Sequence, residues 1–341
     1  LPLKFAQKLY NEFAIRHPNA FYLRTRQRGM QNWDGKIHYI TKTGQFKIGL
    51  LPKVYDMCIE MGIKPKVVDM RQPLPKVSKV VTNIGKYKLR PEQEKAVKAV
   101  INNKIGNTPF HIGVLDYTVN AGKTLIMSSL YLSYKKQLKT LLITNDSDWL
   151  NQAREEFKQY LPGEDITFVQ GKVLNWSNFT IGMVQSISRN MRFYQKELSQ
   201  IDMVLIDEAD QGGSKQYQNV ITRLFNTRIR IGLSGTIYMS KLAKDRVKNM
   251  NLECFFGKVL AEFKLKDSIK KGYSTKTVVK MVPGKPWYGN WESDCISYKE
   301  IYDDSITNCY TAWLMAYNRL LWNLNQGRYP ALVVCKHIAH C

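Results

Sequence analysis

The feature that most constrains this chain lies at residues 112–124. There an apolar run, Ile112 to Tyr117, passes through Thr118-Val119-Asn120-Ala121 into Gly122-Lys123-Thr124 and then into a helical pattern that continues to Lys136. A strand feeding a Gly-Lys-Thr turn at a helix start is the end of a phosphate-binding loop. Backbone N–H groups of Asn120, Ala121 and Gly122 face the β-phosphate, the Lys123 ammonium reaches the β/γ oxygens, and the Thr124 hydroxyl ligates Mg²⁺. Tyr117 stands where the short motif has its first glycine, so the match is partial and its strand-to-helix context carries weight.

That context is a repeating one. Strand patterns at 112–117, 140–144, 179–183, 203–207 and 230–234 alternate with helical patterns at 123–136 and 149–160. Such alternation specifies an α/β fold with a mostly parallel sheet covered on both faces, with ligands at the carboxyl ends of the strands. One of those ends carries Asp207-Glu208-Ala209-Asp210, 84 residues beyond Lys123. In a nucleoside triphosphatase the first carboxylate, Asp207, holds Mg²⁺, and the second, Glu208, polarises the attacking water. The pair of motifs selects ATP and Mg²⁺ as cofactors, with Lys123, Asp207 and Glu208 as catalytic candidates and Thr124 and Asp207 as metal ligands.

Charge points to the substrate. The chain carries 51 Lys+Arg against 28 Asp+Glu, a net +23. Residues 1–90 hold 18 basic and 5 acidic side chains, residues 214–280 hold 15 and 4, and the 91–213 segment between them is nearly neutral with 13 and 14. Basic segments flanking a neutral core suit a polyanion such as nucleic acid, while solvated basic faces are the bland alternative. Six scattered cysteines form no C-x-x-C pair, and no apolar leader or run of 18 apolar residues exists. A reducing, cytoplasmic setting (host cytoplasm if viral) and no membrane partner are therefore expected. The start at Leu1 and the stop at Cys341 suggest that both ends are cut.

Residues 1–72 read as a small α+β unit, 73–88 as a linker, 89–256 as the ATPase domain and 257–341 as the start of a further domain. In the first unit, Phe5, Leu9 and Phe13 share one helical stripe, and a second helix spans 53–61 ahead of Gly62. Arg24, Arg26 and Arg28 would share one face if extended. With Lys36 they are the leading phosphate contacts, and Trp33 either stacks on an exposed base or packs beneath the basic face. An aromatic loop at Pro286–Trp291 reads as a strand wedge or as packing. Cys335, His337, His340 and Cys341 fit no common zinc spacing.

Taken together, the motifs resemble superfamily 2 helicases and translocases, and more closely the phage recombination helicases of the UvsW type. Leu89-Arg90-Pro91-Glu92-Gln93 resembles the family's adenine-reading segment, which makes Arg90 and Gln93 cofactor-binding candidates. Thr144 to Ser147 and Thr180 to Ser186 sit where the family contacts the nucleic-acid backbone, through Thr144 and Gln185. Ser234-Gly235-Thr236 resembles the motif coupling nucleotide to strand, through Ser234 and Thr236. The run Asn32 to Ile37, with Trp33 and Lys36, resembles the family's small N-terminal DNA-binding domain, and Ala331 to Ile338 the first strand of its second motor domain.

The resemblance implies a RecA-like P-loop NTPase sheet, a small N-terminal α+β DNA-binding domain and part of a second RecA-like domain. It implies an ATP-dependent DNA helicase or translocase on branched or duplex DNA, sequence-independent, in replication, recombination or repair. A restriction-type nuclease motor and an ATP-dependent RNA helicase are the alternatives. Later family motifs, the arginine finger among them, are absent, so weak hydrolysis by the chain alone is expected.

Overall fold

The computed structural model describes residues 3–26, 30–134, 137–173, 176–237, 243–276 and 310–327. Arg28, the aromatic loop at 286–291, the expected strand at 331–338 and the Cys/His group at 335–341 lie outside them. The chain divides into two compact units, Leu1–Thr275 and Lys276–Cys341.

The first unit begins with α1 (Leu3–Glu12), β1 (Ala14–Arg16), α2 (Ala20–Arg26), β2 (Lys36–His38), a 3₁₀ turn (Ile48–Leu50) and α3 (Leu51–Glu60). Two short hairpins, β3 (Asn83–Ile84) with β4 (Tyr87–Lys88) and β5 (Lys104–Ile105) with β6 (Thr108–Pro109), bracket α4 (Pro91–Ile101). The alternating core follows: β7 (His111–Tyr117), α5 (Lys123–Ser133), β8 (Thr140–Thr144), α6 (Ser147–Tyr160), β9 (Ile166–Val169), β10 (Phe179–Met183), α7 (Val184–Arg189), α8 (Gln195–Ser199), β11 (Met203–Asp207), α9 (Lys215–Ile221) and β12 (Ile229–Ser234). It closes with α10 (Ala243–Phe256), β13 (Val259–Phe263) and α11 (Leu265–Lys270). In the second unit, α12 (Tyr310–Asn325) is the one described helix.

Strands β7 to β13 form a single parallel seven-stranded sheet in the order β13-β7-β12-β11-β8-β10-β9. β7, β8, β11 and β12 are buried at every residue. This is why they read as continuous apolar runs, because a parallel sheet is covered on both faces. Side chains still alternate. Val114, Leu141, Ile143, Val204 and Ile206 belong to one apolar cluster, and Leu115, Leu142, Met203 and Leu205 to the other. The second face is covered by α4, α5 and α6 through residues such as Val97, Ile126, Leu130 and Phe157.

The first face is where the expected boundaries fail. Phe5, Leu9 and Phe13 are buried as their spacing predicts, but with Ile40, Leu50 and Val54 they join the cluster of Val114 and Val204 instead of closing a core of their own. Tyr39 Oη donates to Asn251 Oδ1 at 2.9 Å, and Lys53 pairs with Glu253 at 2.6 Å. The first 72 residues are therefore a layer of the first unit. A segment this short gains most by burying its apolar stripe against an existing sheet. The boundary at 256/257 shifts likewise, since β13 pairs with β7 as the sheet's edge strand. The 73–88 linker is tied down as well: Ser129 Oγ donates to the Val81 carbonyl and Ser133 Oγ accepts from the Val81 N–H.

The Arg24–Arg28 segment is not extended. Ala20 to Arg26 is helical, and positions two apart on a helix diverge by about 200°. Arg26 lies over the Tyr22 ring at 5.0 Å, while Arg24 lines a cavity of about 490 Å³ with Arg16, Lys36 and Asp34. Gly49 shows how tightly the layer docks. A Cβ there would lie 2.1 Å from the Glu253 carbonyl oxygen and 2.6 Å from that of Cys254. Gly49→Ala should lower stability by on the order of 1–3 kcal/mol, read as a clear fall in the thermal midpoint; an unchanged midpoint would show that the layer is loosely held.

Candidate functional site

In the sheet, β7 and β11 flank β12, so the loop after β7 and the acidic end of β11 stand about 10 Å apart across one intervening strand. Gly122 caps α5 in a left-handed conformation (φ +74°), leaving the first N–H groups of the helix directed into the cleft. Lys123 Nζ reaches Glu208 Oε1 at 3.5 Å. Among the described residues, Asn120 (φ +62°) and Glu208 (φ +49°) are the only non-glycine residues with left-handed backbones, and both line this cleft. Such conformations are costly and concentrate where function holds them.

Asp207 is 3% exposed, and its Oδ1 is buried without a hydrogen-bond partner. Burial raises its pKa from 3.8 to about 6; the Lys123 charge opposes this, and the neighbouring Glu208 adds to it. An orphaned carboxylate oxygen suits a hard divalent cation. No group of three or more His, Cys, Asp or Glu that could hold a metal occurs among the described residues, so a cation here would draw its remaining ligands from phosphate and water.

Arg90 and Gln93 are in the cleft, but Gln93 does not present a free amide. Its Oε1 accepts the Arg90 N–H (2.8 Å), its Nε2 donates to the Ala121 carbonyl (2.8 Å), and it is fully buried. Gln93 thus braces the phosphate loop in this state, and reading a base edge would require releasing Ala121. Arg90 donates to the Asn120 carbonyl (3.1 Å) and stacks on the Tyr273 ring at 4.3 Å. Tyr117, which replaced the expected glycine, is buried and donates to the Glu92 carbonyl (2.7 Å), tying β7 to α4.

Ser234, at the end of β12, donates to Asp210 Oδ1 (3.2 Å) and accepts the Thr236 N–H. A Cβ at Gly235 would stand 3.1 Å from Thr118 Cα, which accounts for glycine between Ser234 and Thr236. Thr144 is buried, and its hydroxyl accepts the Asp146 N–H (3.2 Å), so it shapes the loop instead of facing a strand. Gln185 Nε2 holds the Asn145 carbonyl (3.2 Å), and Asn145 in turn donates to Gln211. Trp33 packs: it is half-buried, donates to the Lys36 carbonyl (2.9 Å) and meets His17 edge-on at 5.8 Å. Arg24, Arg26 and Lys36 are exposed.

Several participants were invisible in the sequence reading. Tyr273 and Lys271, whose ammonium pairs with the buried Glu92 at 2.7 Å, come from a segment with no motif. Arg16 enters the basic cavity from β1. Only tertiary placement brings them to the site.

Residues 86–239 match the family model described as "Type III restriction enzyme, res subunit". Over 228 residues the chain is 22% identical to the ATP-dependent DNA helicase uvsW of Enterobacteria phage T4, covering 60% of this chain and 43% of that relative. The chain thus spans less than half the length of the curated relative it matches. Among solved structures, the UvsW helicase from Bacteriophage T4 superposes with a TM-score of 0.58 at 21% identity, covering 77% of this chain and 94% of that one. A second T4 UvsW structure gives 0.57 at 21% identity, over 77% and 53%.

The parallel sheet with its Gly-Lys-Thr loop, its Asp-Glu pair and the Ser-Gly-Thr on the strand between them is a RecA-like α/β fold, shared with the T4 UvsW structures. In sequence the chain is similar to the T4 relative described above.

Because the folded state holds Asp207 at about 6 rather than 3.8, its burial favours the protonated form. Stability from this group is present at low pH and lost as pH rises through about 6, a difference on the order of 3 kcal/mol. Asp207→Asn should therefore raise the thermal midpoint at pH 7.5, raise it by roughly half as much at pH 5 and change it little near pH 3. An equal effect at pH 7.5 and pH 3 would contradict the raised pKa.

Proposed function

We propose that this chain is the motor portion of an ATP-dependent DNA helicase or translocase that works on duplex or branched DNA, independent of sequence, in replication, recombination or repair inside the cytoplasm. The observation that carries the reading is the 3.5 Å approach of Lys123 to Glu208 beside the buried, unpartnered Asp207, on a sheet flanked by basic surfaces. The T4 relative is named as an ATP-dependent DNA helicase.

Lys123 is the one cation within ion-pair reach of Glu208 among the described residues, and a triphosphate entering the cleft would exchange that carboxylate for its β and γ oxygens. Glu208 would then be free to orient water and accept its proton. Thr124 and Asp207 would hold Mg²⁺, which supplies charge neutralisation on the phosphates when bound. Ser234 and Thr236, linked to Asp210, would transmit the change toward the strand-binding surface. Gln185 positions the loop at Asn145 on that surface, and Arg24, Arg26 and Lys36 supply phosphate contacts by counterion release.

A restriction-type motor is the second reading, favoured by the family model over residues 86–239. Stimulation of ATP hydrolysis by duplex DNA, forked DNA, single strands and RNA, compared in parallel, separates these readings; an exclusive response to RNA would replace DNA as the substrate.

Lys123→Ala should reduce nucleotide binding or turnover to background while leaving DNA affinity unchanged, and turnover equal to the parent would remove the phosphate-loop assignment. Because the N-terminal layer shares the motor core, point changes serve better than truncation. Arg24→Ala with Lys36→Ala should weaken DNA binding and lower the slope of log affinity against log salt by roughly 1.5. An unchanged slope would take these residues out of the track.

A further inference from the structure

Beside the first sheet face, α7, α8 and α9 enclose a cavity of about 530 Å³ whose lining includes Arg189, Arg192, Phe193, Asn219 and Arg223. It lies outside every motif discussed above. All three arginines are exposed, and none forms an ion pair with a described residue. Each of the three thus keeps its charge uncompensated at the cavity wall. The acid closest in sequence, Glu197, is not part of the lining. A fourth cation joins through the exposed Phe193, since Lys172 Nζ sits 3.7 Å from its ring centroid. Three guanidinium groups thus line one cavity, with Lys172 over the ring of a fourth lining residue and no acidic side chain in the lining, an arrangement whose self-repulsion an anion would relieve.

The position of the cavity identifies the anion. Arg189 follows Gln185 by one turn on α7, so the two share a helix face with a rise of about 6 Å between them. Gln185 fastens the Asn145 loop at the carboxyl end of β8, where the nucleic-acid backbone is placed under the proposed function. Guanidinium groups match phosphate oxygens in a planar fork, and Asn219 and Ser188 add neutral donors to the same lining. We propose that this cavity is a further phosphate-backbone contact, extending the nucleic-acid track from Gln185 across α7 to α9; it rests on the nucleic-acid reading given above.

The test uses the full chain and two double variants, Arg192→Ala/Arg223→Ala and Arg192→Lys/Arg223→Lys, with fluorescently labelled single-stranded and duplex oligonucleotides titrated across a salt series. The alanine variant should bind at least tenfold more weakly at low salt, and its salt slope should fall by roughly 1.5 to 2. The lysine variant should retain the slope. Both should keep the parental thermal midpoint and ATP affinity, showing that the fold and nucleotide cleft are intact. An alanine variant with parental affinity and slope would overturn the cavity assignment while leaving the proposed function standing. Binding of a poly-glutamate peptide that is lost in the alanine variant, with oligonucleotide binding unchanged, would also overturn it in favour of an acidic protein. A parent chain that binds ATP but neither oligonucleotide would sink the nucleic-acid reading and this extension together.

Discussion

A lysine ammonium and a pair of carboxylates are held against each other at the carboxyl edge of a parallel sheet, and most of the architecture serves that encounter. Lys123 can approach Glu208 only because β7 and β11 lie on either side of β12, and that order is fixed by parallel crossovers whose helices must cover both faces. Burial of Asp207 follows from the same order, since a residue ending the central β11 is shielded by strands on both sides. The raised pKa of Asp207 and the left-handed backbones of Asn120 and Glu208 are costs concentrated in this cleft. The large apolar clusters on the two faces of the sheet offset them.

The phosphate loop is braced from outside its own motif. Gln93 and Arg90 donate to successive carbonyls, Ala121 and Asn120, and Arg90 is itself backed by Tyr273. Lys271 on Glu92 and Lys264 on Asp116 fasten the α11 segment to α4 and β7. The shape of the loop therefore depends on two side chains from the start of α4. That coupling accounts for a Tyr117 that departs from the motif and yet serves the loop by holding α4 in place.

The N-terminal layer changes how the basic surfaces are understood. Its apolar stripe is buried in the core of the seven-stranded sheet, and Gly49 packs against the backbone of α10. The cavity bounded by Arg16, Arg24 and Lys36 thus belongs to the same compact unit as Lys123 and Glu208.

The alternating apolar runs and the two motifs made the α/β class, the strands β8, β10 and β11, and the approach of the Gly-Lys-Thr loop to the acidic end of β11 legible in the chain itself. These are local signals: strand periodicity, a glycine turn at a helix start, and a carboxylate pair ending an apolar run. Placement in space was decided elsewhere. Ala20–Arg26 is helical, where an alternation of charges suggests an extended face. The recruitment of β13, the merging of the first 72 residues into the core, the buried roles of Gln93 and Thr144, and the arrival of Tyr273, Arg16 and the α7–α9 arginines depend on contacts between residues far apart in sequence. Burial and long-range pairing are properties of the assembled layers, so no pattern along the chain encodes them one segment at a time.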